Sequence, residues 1–228
     1  ATAARMGLVG IPETAETIAL ARDLLLIEQT GVQAHFSGLS SARAMDMLAD
    51  AQARGLRVSA DVAMYQLLLC DEDLEGFSSL LHVLPPLRSS HDRRALRQAV
   101  QNGVVQAISS HHQPHEQEAK RVPFAASAPG ISSIEVLLPL AMTLVADGLL
   151  ELPALLARLT CGPANALGLP AGTLAQGARA DITLFDPVEA SLIGHNWISK
   201  GANCPFIGQG VPCKVTHTIC NGKLVYQA

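Results

Sequence analysis

Three times in its first 110 residues the chain ends a helical pattern on a glycine and passes at once into a short apolar run. Gly31 precedes Val32-Gln33-Ala34-His35-Phe36, Gly55 precedes Leu56-Arg57-Val58-Ser59-Ala60-Asp61-Val62, and Gly103 precedes Val104-Val105-Gln106-Ala107-Ile108. Glycine stops a helix because it enters the left-handed region without a Cβ penalty. Runs this short and apolar read as buried strands, and their alternation with helices predicts an α/β fold with a parallel sheet, open or closed into a barrel. The helix starts agree. Pro12-Glu13-Thr14 opens the first, which carries Ile18, Leu20, Ala21, Leu24, Leu25 and Ile27. Ser40-Ser41 can cap the second, Ser89-Ser90-His91-Asp92 the third, and Ser132 or Ser133 a fourth that runs to about Leu144. Only three to four strands are recognisable, too few for eight βα units. The long connections at 63–90 and 109–130 read as active-site loops.

After Leu152 the pattern changes. Two helical stretches, Leu152 to Thr160 and Cys161 to Leu169, give way to β-type runs at Ala178–Asp186, Val215–Cys220 and Lys223–Tyr226. Asn221-Gly222 between the last two is a strong hairpin signal, since both residues tolerate positive φ. The expected division is an α/β domain over 1–170 and a C-terminal β module over 171–228.

Charged residues make up 16% of the chain and hydrophobic ones 49%. An average soluble domain carries roughly 25% charged residues. So low a charge content implies either that a partner covers much of the surface or that the chain is the inner part of a larger fold. A net charge of −4 gives no reason to expect nucleic acid or an anionic membrane as partner. The nearly uncharged run from Ala125 to Ala146 is interrupted by Pro129, Gly130 and Pro139 and does not read as a membrane span. No signal peptide is visible at Ala1-Thr2-Ala3-Ala4, which lacks an initiator Met. Five widely spaced cysteines without a C-x-x-C pattern read as buried free thiols in a reducing, cytoplasmic setting; a metal or redox role for Cys204, Cys213 and Cys220 is the alternative.

The chemistry-bearing stretch is Ser109-Ser110-His111-His112-Gln113-Pro114-His115, three histidines within five residues at a strand end. Catalytic groups collect at such ends in α/β barrels, so a metal or acid/base site is one reading. Hydrogen-bonded loop histidines are the other. His35, inside an apolar strand, reads as a satisfied core histidine. Glu116, Glu118 and Lys120 read as a solvated loop, and Arg88 as a residue that fixes loop geometry. Ser37, Ser40 and Ser41 lack the glycine context of a nucleophile elbow. The stretch from Gly201 to Gly210 has no phosphate-loop pattern.

Further marks are spread over nearly the whole length. They include Gly10-Ile11-Pro12 with Ala15-Glu16, Arg22-Asp23, Pro85-Pro86-Leu87-Arg88, and Pro114-His115 with Glu118-Ala119-Lys120. Ala128-Pro129-Gly130 with Glu135, Gly162-Pro163-Ala164, Gly177-Ala178-Arg179-Ala180-Asp181, Ser199-Lys200, Asn203-Cys204-Pro205-Phe206 and Gly222 follow. In order and spacing they resemble the C-terminal part of a dihydroorotase, a member of the amidohydrolase superfamily of metal-dependent (β/α)8 hydrolases. The resemblance implies that residues 1–170 are part of a TIM-type barrel and that 171–228 contribute to a small β-sandwich, with the N-terminal portions of both absent from the chain. It implies reversible ring closure of N-carbamoyl-aspartate to dihydroorotate, with a zinc-bound hydroxide as nucleophile and an aspartate as ligand and proton shuttle.

The chemistry positions depart from that pattern. A His-x-x-His-x-Ser-Thr motif is replaced by His35-Phe36-Ser37-Gly38-Leu39-Ser40-Ser41, which puts Gly38 at a metal-ligand position. Pro-His-His-Leu is replaced by Met64-Tyr65-Gln66-Leu67, which puts Tyr65 at another. Thr-Asp-His-Ala-Pro-His becomes Ser110-His111-His112-Gln113-Pro114-His115, with His111 in the place of the catalytic aspartate, and the substrate asparagine before Pro-Pro-Leu-Arg is Leu84. Glycine offers no ligand atom, and neutral tyrosine is a poor zinc ligand beside imidazole. His115 and Gly130 are the substrate-contact positions that survive. The resemblance with these departures implies a catalytically inactive dihydroorotase homologue without metal or cofactor. Its expected role is that of a structural subunit beside the catalytic chain of aspartate carbamoyltransferase, the preceding enzyme of pyrimidine synthesis, with self-association left open. The alternative is an active zinc-dependent dihydroorotase with an altered ligand set drawn from His111, His112 and His115.

Overall fold

The structure, a computed structural model, describes residues 2–195 and 197–228. Compactness divides it into two units, one running up to Ile134 together with Ser199–Pro205, the other of Glu135–Ile198 and Phe206–Ala228. The boundary at 170/171 separates helical from β segments, and both sides of it fall within the second unit.

The first unit contains α1 (Thr2–Arg5), α2 (Thr14–Thr30), β1 (Ala34–Phe36), α3 (Ala42–Ala53), β2 (Val58–Ala63), α4 (Ser90–Asn102) and β3 (Ala107–Ser109). Gly31 ends α2 at φ +66°, its N–H donating to the Ile27 carbonyl, and Gly103 ends α4 at φ +85°. The three strands are parallel in the order β1-β2-β3, with His35 beside Ser59 and Asp61 beside Ala107. Directly paired residues of neighbouring strands share a face. One face therefore presents His35, Ser59, Asp61, Ala63 and Ser109, while Val58, Ala60, Val62 and Ile108 point the other way and are buried. Helix α3 packs on β2 and against α4; α3 supplies Met45, Leu48 and Ala51 to the core, and α4 supplies Leu96 and Val100.

The strands are shorter than the apolar runs. Val32 is half exposed and lies before β1. Val105 returns its N–H to the Ala99 carbonyl of α4, so β3 begins only at Ala107. The helix expected from Ser132 or Ser133 starts later, as α5 at Leu137. Ser133 directs its hydroxyl to the Ser110 carbonyl at 2.6 Å and so does not cap a helix.

The helix starts around the parallel sheet are tied together by two carboxylates. Ser41 caps α3, its Oγ accepting the Ala44 N–H at 3.2 Å. Ser89 and Asp92 form a capping box at α4, and the second oxygen of Asp92 accepts the Ala42 N–H at 2.8 Å. Glu16 on α2 receives the N–H and O–H groups of both Ser40 and Ser41, four bonds of 2.5–3.0 Å.

The second unit packs α5 (Leu137–Ala146), α6 (Leu152–Leu159) and α7 (Cys161–Ala166) in succession. It ends in β4 (Ile182–Asp186), β5 (Ser191–Leu192), β6 (Gly210–Val211), β7 (Lys214–Cys220) and β8 (Lys223–Gln227). These strands are antiparallel, β4-β7-β8 in one sheet and β5-β6 in another. Asn221 and Gly222 turn the β7–β8 hairpin at φ +48° and +76°, as a two-residue turn of this kind demands. Among the described residues no helix is long and apolar enough to cross a membrane.

Replacing Glu16 by alanine strands the Ser40 and Ser41 donors, and Glu16→Ala is expected to cost about 2–4 kcal/mol. A urea titration checks this: the midpoint should fall with the m-value unchanged.

Candidate functional site

The polar face of the parallel sheet is organised by Asp61, which sequence reasoning passed over. Its side chain is 8% exposed. Oδ2 lies 3.0 Å from His35 Nε2, and Oδ1 accepts the Gly38 N–H at 3.1 Å and the Ser109 hydroxyl at 2.8 Å. His35 is satisfied at both nitrogens, Nδ1 lying 2.8 Å from Ser59 Oγ. The sequence signal for Asp61 was a carboxylate inside a strand of small and apolar residues, two positions after Ser59 and so on the same face.

Gly38, Tyr65 and His111 meet beside this cluster. Tyr65 is fully buried and its hydroxyl lies 2.9 Å from His111 Nδ1, the two rings edge-on at 6.0 Å. Burial pushes the Tyr65 phenol well above its ordinary range, so it remains a neutral hydroxyl. Gly38 sits at φ +72°, and a Cβ placed there would lie 3.6 Å from His111 Nε2. His111 itself adopts φ +47°, a left-handed backbone that costs a non-glycine residue roughly 1 kcal/mol. A cavity of about 480 Å³ lies beside Gly38, lined among others by Asp23, Phe36, Leu84 and Arg88.

The other two histidines turn elsewhere. His112 Nδ1 accepts the N–H groups of Ser133 at 3.0 Å and Ile134 at 3.2 Å. His115 Nε2 donates to the Pro129 carbonyl at 3.0 Å, and its backbone N–H donates to Asn203 Oδ1 at 2.7 Å. Asn203 returns its amide N–H groups to the carbonyls of Gln113 and Gly130. Gly130, at φ +137°, passes so near Gln113 that a Cβ would fall 2.5 Å from that residue's own Cβ. His111, His112 and His115 thus have separate partners. Among the described residues no group of three His, Cys, Asp or Glu side chains is placed to hold a metal ion.

Lys120 corrects the expectation of a solvated loop. It is 7% exposed, and Nζ donates to the carbonyls of Ser79, His82 and Ala128 at 3.0, 3.3 and 2.6 Å. Burial draws its pKa down to about 8. Neighbouring Glu116 and Glu118 are exposed, as expected. Arg88 does fix loop geometry, donating to Ser40 Oγ at 3.1 Å and to the Ile11 carbonyl at 2.8 Å. Ser40 and Ser41 spend their hydroxyls on Glu16 and are not poised as nucleophiles.

The amidohydrolase family pattern matches residues 2–225. The chain belongs to the amidohydrolase family. This amidohydrolase chain is 64% identical over 226 residues to a dihydroorotase-like protein of Pseudomonas aeruginosa, an alignment covering 99% of the chain and 53% of that relative. It is 43% identical over 223 residues to a dihydroorotase of Syntrophus aciditrophicus, covering 97% of the chain and 52% of the relative. An L-hydantoinase (dihydropyrimidinase) from Arthrobacter aurescens has the same fold, with a TM-score of 0.87 at 25% identity over 95% of this chain and 49% of its own. The chain therefore has the TIM-barrel amidohydrolase fold and spans about half the length of the relatives it matches.

Two outcomes follow for this amidohydrolase chain. Asp61→Ala leaves the Gly38 and Ser109 donors and His35 without their shared acceptor. A loss of about 2–4 kcal/mol is expected in urea unfolding. For Lys120 the folded-state pKa lies below the unfolded one, so its burial penalty is present in full below about pH 8 and is relieved as pH rises towards 10.5. The stability of the wild type relative to Lys120→Met should accordingly rise across that window. Parallel denaturation curves of the two proteins from pH 7.5 to 10.5 would show a flat difference if the reading were wrong.

Proposed function

We propose that the chain belongs to a catalytically inactive dihydroorotase homologue, a structural subunit that supports assembly of aspartate carbamoyltransferase in de novo pyrimidine synthesis. The observation that carries this is the hydrogen bond between Tyr65 and His111 beside Gly38. In the dihydroorotase reading these are two metal-ligand positions and the position of the catalytic aspartate. Here one has no side chain, one is a neutral phenol, and the third gives an imidazole nitrogen to that phenol.

This set does not fit a zinc ion. Neutral tyrosine binds zinc poorly, and freeing the His111 nitrogen would leave the buried phenol without its partner. Nor can imidazole reproduce the carboxylate that takes and returns the proton, since its charge and bonding geometry differ. His115 and Gly130 are retained, but His115 Nε2 is spent on the Pro129 carbonyl. Leu84, where a substrate-binding asparagine would stand, presents a half-exposed apolar side chain instead.

An assembly subunit must keep its core and contact surfaces while its catalytic groups are released from constraint. The buried sheet, the shared helix caps and the low charge content suit that role, because permanent interfaces are more apolar than ordinary surface. In this reading the antiparallel strands β4, β7 and β8 are the C-terminal contribution to a small β-sandwich, and no metal or cofactor is required.

Elemental analysis and a dihydroorotate hydrolysis assay on the purified full-length protein test the proposal. The expected result is no stoichiometric zinc and no turnover, together with co-purification of aspartate carbamoyltransferase in an assembly that collapses when this subunit is deleted. Stoichiometric zinc with turnover would overturn the inactive reading. A transcarbamoylase assembly indifferent to the subunit would overturn the structural role.

A further inference from the structure

The connections after β2 and β3 are long, and over residues 77–84 and 118–130 they contain only single 3₁₀ turns at Ser79–Leu81, Glu118–Lys120 and Phe124–Ala126. Segments with so little regular structure must be fastened by other means or they open independently. Nearly everything that joins these two is gathered around one amine. Lys120 Nζ reaches the carbonyls of Ser79 and His82 in the first segment and of Ala128 in its own. Ser79 Oγ answers by donating to the Lys120 carbonyl. The His82 carbonyl also accepts the Gly130 N–H at 2.8 Å, and His82 Nδ1 lies 2.9 Å from Ser127 Oγ. The His82 ring also packs against Phe124, with centroids 4.8 Å apart.

We propose that residues 77–84 and 118–130 form a two-part strap, closed by the Lys120 amine, whose parts open and close as one body. The geometry argues for joint opening. The amine occupies a point where carbonyls of both segments converge, so one donor is shared between them. Separating the segments strips donors from the Ser79 and His82 carbonyls, and loosening 118–130 alone breaks the same bonds. The strap bears on the family's chemistry positions, because its second part carries Pro129 and Gly130, which hold His115 and Asn203. Leu84 ends the first part, and Leu81, His82, Phe124 and Ala125 together line a cavity of about 740 Å³. Opening the strap would therefore release His115 and one wall of that cavity in a single event. The proposal stands on the cage of carbonyls and is independent of whether the homologue turns over substrate.

Hydrogen exchange followed by mass spectrometry, on the full-length protein and its Lys120→Met and Lys120→Arg variants, tests it. Methionine keeps the stem and removes every donor, so exchange in peptides spanning 79–84 and 119–130 should accelerate together, by roughly tenfold or more. Trypsin cleavage after exposed Arg121 should accelerate in parallel. Lys120→Arg, which retains donors, should restore part of the protection in both segments. Unchanged exchange in Lys120→Met, or acceleration in one segment alone, overturns the proposal. Amides of Val58–Ala63 report whether the variant is folded. If Lys120→Met does not fold, native-state exchange of the wild type in low urea decides: one shared opening free energy for both segments supports the strap, and two different ones overturn it.

Discussion

A single buried carboxylate holds the strand ends of the parallel sheet in place. Asp61 on β2 bonds His35 of β1, the backbone of Gly38 just beyond it, and Ser109 of β3. Taking a carboxylate out of water is costly unless donors replace the lost hydration, and here donors from three segments do so. Because the side-chain period of a strand is two, a shift of β1 or β3 by one residue would turn His35 or Ser109 to the other face. The polar bonds therefore select the register, while Val58, Ala60 and Val62 on the opposite face supply the burial that drives packing against the helices.

The same economy recurs at the helix starts and in the loops. Glu16 binds two serines through four bonds, Asp92 serves the N-termini of both α3 and α4, and Lys120 gathers carbonyls from two connections. Lys120 is buried and Glu16 and Asp92 are half-buried, and each is surrounded by backbone or hydroxyl partners. A chain with so few charges uses these three to arrange segments. Tyr65 and His111 likewise join two segments through an internal hydrogen bond.

Much of the fold was legible because its signals are local. Gly31 and Gly103 stop helices by backbone conformation, Ser41 and Ser89 cap them within one turn, and Asn221-Gly222 turns a hairpin through two left-handed residues. The residue types of Gly38, Tyr65, His111 and Leu84 were also legible as departures from the pattern that the resemblance implies, since the presence or absence of a ligand atom is a property of the residue type. Where the reading slipped, a distant partner had intervened. Ser133 is a good cap by composition, but the Ser110 carbonyl claims its hydroxyl. Lys120 lies among exposed glutamates, and only the approach of 79–82 converts it into a buried donor.

From the order of its residues alone, this chain is a helix–strand alternation with a β tail that resembles a recognisable family, with glycine, tyrosine and histidine at positions where that resemblance implies metal ligands. Propensity, capping and chemical identity operate within a few residues, so they can be read in one dimension. Tertiary structure alone decided that the three loop histidines have separate partners, that Tyr65 closes on His111, and that Asp61 and Lys120 organise their surroundings. Those outcomes depend on which segments the parallel register and the long connections bring within 3 Å of one another, and hydrogen-bond partners chosen by proximity in space leave no mark in the local sequence.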